Sequence, residues 1–185
     1  MAEPKARIID ESGVRRAIMR ISHEITEANK GIDGVVLVGI KRRGVCLARM
    51  ICENLERIEG TKPPMYELDI TFYRDDLEKS SDIPTYRGGT DGFSVDGKKV
   101  IIVDDVIYTG RTARAALEAI FSTGRPSKIQ LAVLVDRGHR ELPIRADYVG
   151  KTIPTAKSEV VKVSTPEYDG ALSVELYDRD ALSAE

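Results

Sequence analysis

The sequence predicts an α/β domain built on a central, mainly parallel sheet flanked by helices. Three short apolar runs carry that prediction: residues 35–40, 100–103 and 131–135. Each is rich in β-branched residues and shows no polar alternation, which is how a strand covered on both faces reads. Helical patterns stand between them, and strand–helix alternation favours parallel pairing through crossovers.

The elements follow in order. Residues 11–30 place Val14, Ala17, Ile18, Ile21, Ile25 and Ala28 in steps of three and four, so one helical face is apolar. Ser12 is the expected cap of this helix and Gly31 its expected stop. Residues 44–57 predict a second helix, and 66–73 alternate well enough for a strand. Residues 75–98 hold Gly88, Gly89, Gly92 and Gly97 among many charges, which predicts a long loop or hairpin. A third helix is expected at about 111–123, ended by Gly124-Arg125-Pro126. Residues 160–163 and 173–176 are further strand candidates.

At 185 residues the chain fits one domain able to bury its own core. The formal charge is −2, which excludes a chain basic all over. No apolar run approaches the ~18 residues of a membrane span. Met1-Ala2-Glu3-Pro4-Lys5 has no apolar segment behind it, so no secretory signal is expected and the compartment is expected to be cytoplasmic. Cys46 and Cys52 lie six apart in a helix and face different sides, so they are expected as reduced thiols.

Ligands of open α/β sheets bind at the carboxyl ends of the strands. Three such ends are chemically loaded. The second run leads into Asp104-Asp105-Val106-Ile107-Tyr108-Thr109-Gly110-Arg111-Thr112. Its Thr-Gly-Arg-Thr turn opens a helix, offering backbone N–H groups and hydroxyls to a phosphate. It lacks the Lys of a P-loop. The adjacent carboxylates can accept hydrogen bonds from vicinal hydroxyls and hold a divalent cation through water. Diol acceptors beside a phosphate cradle describe a site for ribose 5-phosphate. The bland alternative is an ordinary strand end with a capping Asp. The first run ends in Lys41-Arg42-Arg43-Gly44, and residues 41–49 hold four Lys or Arg and no acid. The third ends in Asp136-Arg137-Gly138-His139-Arg140.

Residues 100–112 resemble the phosphoribosyl-pyrophosphate (PRPP) signature of type I phosphoribosyltransferases. The resemblance implies that fold, with a small hood and a flexible lid. It implies a single domain over 1–185, the lid at about 74–98 and the hood from about 137–185 with the N-terminal part. Asp104 and Asp105 are then catalytic and hold the ribose, with Mg²⁺ carried by PRPP near them. Val106, Tyr108, Thr109, Gly110, Arg111 and Thr112 hold the 5-phosphate. Lys41, Arg42, Arg43 and Gly44 are similar to the pyrophosphate loop, and Arg74 of the lid is expected to reach the pyrophosphate. Residues 131–157 narrow the likeness to the bacterial pyrimidine-operon attenuation regulators, which are also uracil phosphoribosyltransferases. Segments 8–30 and 69–77 share it, while 78–98 and the tail after about 164 do not. By that resemblance uracil sits near Asp136, Arg137 and Val160.

Charge is segregated along the chain. Residues 137–157 hold five Lys or Arg against two acids, and 166–185 hold one Arg against six acids. Arg16, Arg20 and His23 form one stripe of the first helix, opposite its apolar face. Alone, that reads as a solvated face. The resemblance turns it into an RNA surface made of Arg16, Arg20, His23, Arg140, Arg145 and Lys151. It would bind the messenger RNA leader of pyrimidine genes, promoted by UMP or UTP, in a homodimer or larger assembly. Met19 stands where a small polar residue is expected. The alternatives are a salvage-only phosphoribosyltransferase for a pyrimidine or purine base, and a pocket that binds without turnover. A phosphatase would want Asp-x-Asp spacing, whereas these acids are adjacent. Neither His23 nor His139 lies in a triad-like arrangement.

Overall fold

In the computed structural model, residues 3–70, 86–87 and 94–180 are described, the pair 86–87 by backbone alone. The elements are β1 (Ala6–Ile9), α1 (Glu11–Asn29), β2 (Val35–Ile40), α2 (Arg43–Glu59), β3 (Met65–Leu68), β4 (Tyr86–Arg87), β5 (Lys99–Ile107), α3 (Arg111–Phe121), β6 (Lys128–Asp136), β7 (Tyr148–Thr152), β8 (Glu159–Ser164), α4 (Pro166–Asp169) and β9 (Ser173–Asp178). The main sheet has the order β4-β3-β2-β5-β6-β7, parallel except where β4 runs against β3. A small antiparallel sheet has the order β1-β9-β8.

The apolar runs are continuous because each strand feeds two cores. Val35 and Leu37 of β2, Ile101 and Val103 of β5, and Ala132 and Leu134 of β6 pack with α1 and α2. Val36 and Val38, Val100 and Ile102, and Leu131 and Val133 face the alanine-rich side of α3. Period-two alternation thus sends neighbouring residues to opposite layers, and both layers are apolar. The first core continues into the small sheet through Val161, Val163, Val174 and Leu176. The small sheet is therefore seated on α1 and α2 and shares their core.

Three expectations are corrected. Asp10, and not Ser12, caps α1: its carboxylate accepts from the Gly13 amide at 2.7 Å, and the Ser12 hydroxyl donates to the same oxygen at 3.0 Å. Asp104 and Asp105 lie inside β5, because pairing with β6 runs on to Ile107 opposite Asp136 after the apolar run has ended. The strand expected at 66–73 covers Met65–Leu68; of the remainder, 69–70 are irregular and 71–73 lie outside the described residues. The expected lid at 74–98, with Arg74, also falls largely outside them. Cys46 and Cys52 are free and buried.

Candidate active site

The carboxyl ends of β2 and β5 meet along one trough. A cavity of about 290 Å³ is lined by Tyr108–Ala113 together with Asp104 and Val106. A second, of about 400 Å³, is lined by Lys41, Arg42 and Arg43 with Asp69, Asp104 and Asp105. The two share Asp104, Val106 and Thr112, so the acid pair stands between the turn that opens α3 and a basic loop. A larger cavity of about 520 Å³ lies at the opposite ends of β2 and β5 and contains none of the predicted site residues.

The candidate cradle is the start of a helix. Gly110 precedes α3 with φ of 94°, a left-handed conformation open to glycine, and has no side chain to cap the helix. The Arg111 amide donates to Thr109 Oγ1 at 3.4 Å, and the next amides of the first turn are left for an anion. The following segment braces this loop. The Glu141 and Leu142 amides donate to Thr109 O at 3.0 and 3.1 Å. Arg140 Nη1 donates to Tyr108 O at 2.7 Å, and Arg111 pairs with Glu141 at 2.9 Å.

Asp104 and Asp105 each accept a hydrogen bond from the next backbone amide, at 2.9 and 2.8 Å. Burial, then the neighbouring Asp105 charge, pushes the Asp104 carboxyl well above the usual carboxylate range. Burial also raises Asp105, against opposing hydrogen bonds and the Arg43 charge. An adjacent pair of carboxyls under this penalty is suited to a cation or to hydroxyl donors. Among the described residues no group of three His, Cys, Asp or Glu gathers to hold a metal.

The basic loop lies close against β5. A Cβ on Gly44 would fall 2.5 Å from Val103 O, so only glycine lets α2 begin there. Lys41 pairs with Asp69 at 3.5 Å, and Arg43 with Asp169 at 3.0 Å. The Arg42 side chain has no partner among the described residues.

At the third strand end the polar side chains are engaged within the chain. Both Asp136 oxygens are engaged, by the Gly138 amide at 2.9 Å and by Arg140 Nη2 at 2.6 Å. Arg137 is 5% exposed and stacks 4.1 Å from the Tyr108 ring centroid. Its guanidinium donates to Thr155 Oγ1, Ala156 O and Glu159 O. Arg137 thus bridges Tyr108 to residues 155–159. Val160 lies on β8, the edge of the small sheet, beside the carbonyl that Arg137 grips.

Of the six basic residues predicted for RNA, α1 and β7 bring three together. Arg20 Nη2 donates to Val149 O and Gly150 O, at 3.0 and 2.7 Å. Arg16 and Lys151 line one cleft of about 500 Å³ with Arg7, a residue the sequence did not single out. His23 is exposed on the same helix, and Arg145 is exposed in the loop before β7. Arg140 is placed elsewhere, tied into the phosphate-loop turn.

A trough with an adjacent acid pair between a helix start and a basic loop fits a phosphoribosyltransferase, and the phosphoribosyl transferase domain family matches residues 7–168. The bifunctional protein PyrR of Clostridium perfringens strain 13 is 59% identical over 174 residues, 94% of this chain and 98% of the relative. Those of Clostridioides difficile (59% over 170 residues, 92% and 96%) and Caldicellulosiruptor bescii (56% over 175 residues, 94% and 96%) are similar. The chain belongs to the PyrR family. The fold is also that of hypoxanthine phosphoribosyltransferases. A Trypanosoma cruzi structure has TM-score 0.73 at 20% identity, covering 98% and 95% of the two chains. One from Staphylococcus aureus has TM-score 0.69 at 21%, covering 93% and 92%. Among the described residues no helix is long and apolar enough to cross a membrane.

Proposed function

We infer that this protein is bifunctional: a uracil phosphoribosyltransferase that converts uracil and PRPP to UMP and pyrophosphate, and an RNA-binding attenuation regulator of pyrimidine genes. The observation that carries the enzymatic half is the single trough in which Asp104 and Asp105 lie between the Tyr108–Thr112 turn and Lys41–Gly44. PRPP has the same order of groups: 5-phosphate, ribose diol, pyrophosphate.

Each residue then has a physical task. The uncapped amides of α3 and the Thr109 and Thr112 hydroxyls hold the 5-phosphate. Asp104 and Asp105 accept the ribose hydroxyls, fixing the sugar for displacement at its anomeric carbon. Lys41, Arg42 and Arg43 balance charge on the departing pyrophosphate, with Arg74 added from the 74–98 segment. Mg²⁺ carried by the substrate spreads that same charge when bound. No protein nucleophile is required, because positioning and charge stabilisation suffice for an oxocarbenium-like displacement. Uracil is read by backbone groups near Val160 and the Asp136–Arg137 turn. Arg137 and Arg140 hold that turn in place.

The regulatory half rests on the α1–β7 face, where Arg16, Arg20, His23 and Lys151, with Arg145 nearby, offer cations to RNA phosphates. Uridine nucleotides in the trough would promote binding there. We place the protein in the cytoplasm as a homo-oligomer. The test of the site is the Asp104→Ala/Asp105→Ala protein. It should fold, melt cooperatively and form no UMP. Full activity in that variant would overturn the assignment.

A further inference from the structure

We propose that Asp169, in the hood, is a positioning residue for the pyrophosphate loop: it holds the Arg43 guanidinium aimed into the trough. The proposal rests on the phosphoribosyltransferase reading and adds a residue to it. Arg43 is the first residue of α2 and lines the cavity beside Asp105. Its Nε and Nη2 donate to the two oxygens of Asp169, at 3.3 and 3.0 Å. Asp169 is itself fixed, because Oδ2 also accepts from the Thr165 amide at 3.0 Å. A fork-to-fork pair sets the plane of a guanidinium as well as its place. The Nη1 edge of Arg43 is left out of the pair. A leaving group can then meet an ordered donor whose rotamers need no further freezing.

The contact also joins two parts of the site. Asp169 ends α4, which links β8 to β9, and β8 begins at Glu159, whose carbonyl accepts from Arg137 at 2.7 Å. One chain segment thus touches the base side through Arg137 and the pyrophosphate side through Arg43. A second tie runs beside it, further from the trough: Glu167 of α4 pairs with Arg49 of α2 and accepts from Cys46 Sγ. This gives an internal control, since Glu167 holds the same two elements together without touching a trough residue.

The sign of the effect separates positioning from simple attraction. Removing the Asp169 charge leaves the loop more positive, which favours binding of anionic PRPP. Loss of aim acts on the transition state instead. Steady-state kinetics with uracil and PRPP should show kcat lowered about 10-fold in Asp169→Asn, with KM for PRPP unchanged or lower. Glu167→Gln should keep kcat. Arg43→Lys, which cannot fork, should lose kcat alike, and adding Asp169→Asn to it should change little further. Asp169→Glu should recover part of the loss. Unchanged kcat in Asp169→Asn, an equal loss in Glu167→Gln, or additive losses with Arg43→Lys would overturn the proposal. Should Asp169→Asn fail to fold, Arg43→Lys against Glu167→Gln decides by the same criterion. A wild-type protein that forms no UMP would overturn the functional reading itself and this inference with it.

Discussion

Asp104 carries an energetic cost that its task explains. Its carboxyl is held in a partly buried cleft beside a second carboxyl, so ionisation is penalised in the folded chain. The folded pKa is raised above the unfolded value of about 3.9, so this group's contribution to stability is full below that value and is lost as pH rises through the folded pKa. Asp104→Asn removes the titration. The variant should melt above wild type at about pH 8, with the gap closing toward about pH 4, and should lose UMP formation. Thermal melts across that range check it; a gap independent of pH would contradict the stated cause. At this scale the acid pair and the Thr-Gly-Arg-Thr turn were legible, because their chemistry is local and ordered in the chain. Asp69 and Asp169 were not. Their partners, Lys41 and Arg43, lie far away in sequence, so Asp69 read only as part of a strand and Asp169 as one of the acids of 166–185.

The elements show where periodicity speaks and where hydrogen bonding overrules it. Strands β2, β5 and β6 were visible because both of their faces are buried, and apolar runs report that directly. Strand β7 was not, since Tyr-Val-Gly-Lys-Thr fades from buried to exposed along its length. Strand β1 is four residues long and half charged or small, too short to show a pattern. Helix α2 owes its position to Gly44, which presses against Val103 O. Gly44→Ala should therefore destabilise the protein by ~1–3 kcal/mol, through overpacking, and shift the pyrophosphate loop. Denaturant unfolding and the KM for PRPP measure the two effects; wild-type values for both would show that α2 does not depend on this contact.

For the whole molecule, the near-zero charge is a balance between faces. The acidic end of the chain is spent internally: Glu167 and Asp169 on α2, Glu175 on Arg7, and Asp178 on Lys5. The α1–β7 face keeps exposed cations, with Arg20 steadied by two carbonyls of β7. An RNA footprint there predicts salt-sensitive binding of the pyrimidine leader, tighter with UMP present than without. Filter binding should show the leader preferred over a scrambled RNA, and Arg20→Ala should weaken the preferred complex. Equal affinity for both RNAs, with and without UMP, would contradict the regulatory half.

The hypoxanthine phosphoribosyltransferases that share this fold are named for a purine, so the base is what separates the readings. The most direct test is the product formed from PRPP and Mg²⁺ when uracil or hypoxanthine is offered. Uracil should yield UMP and pyrophosphate, and hypoxanthine no nucleotide. Turnover of hypoxanthine alone, or of neither base, would contradict the enzymatic half.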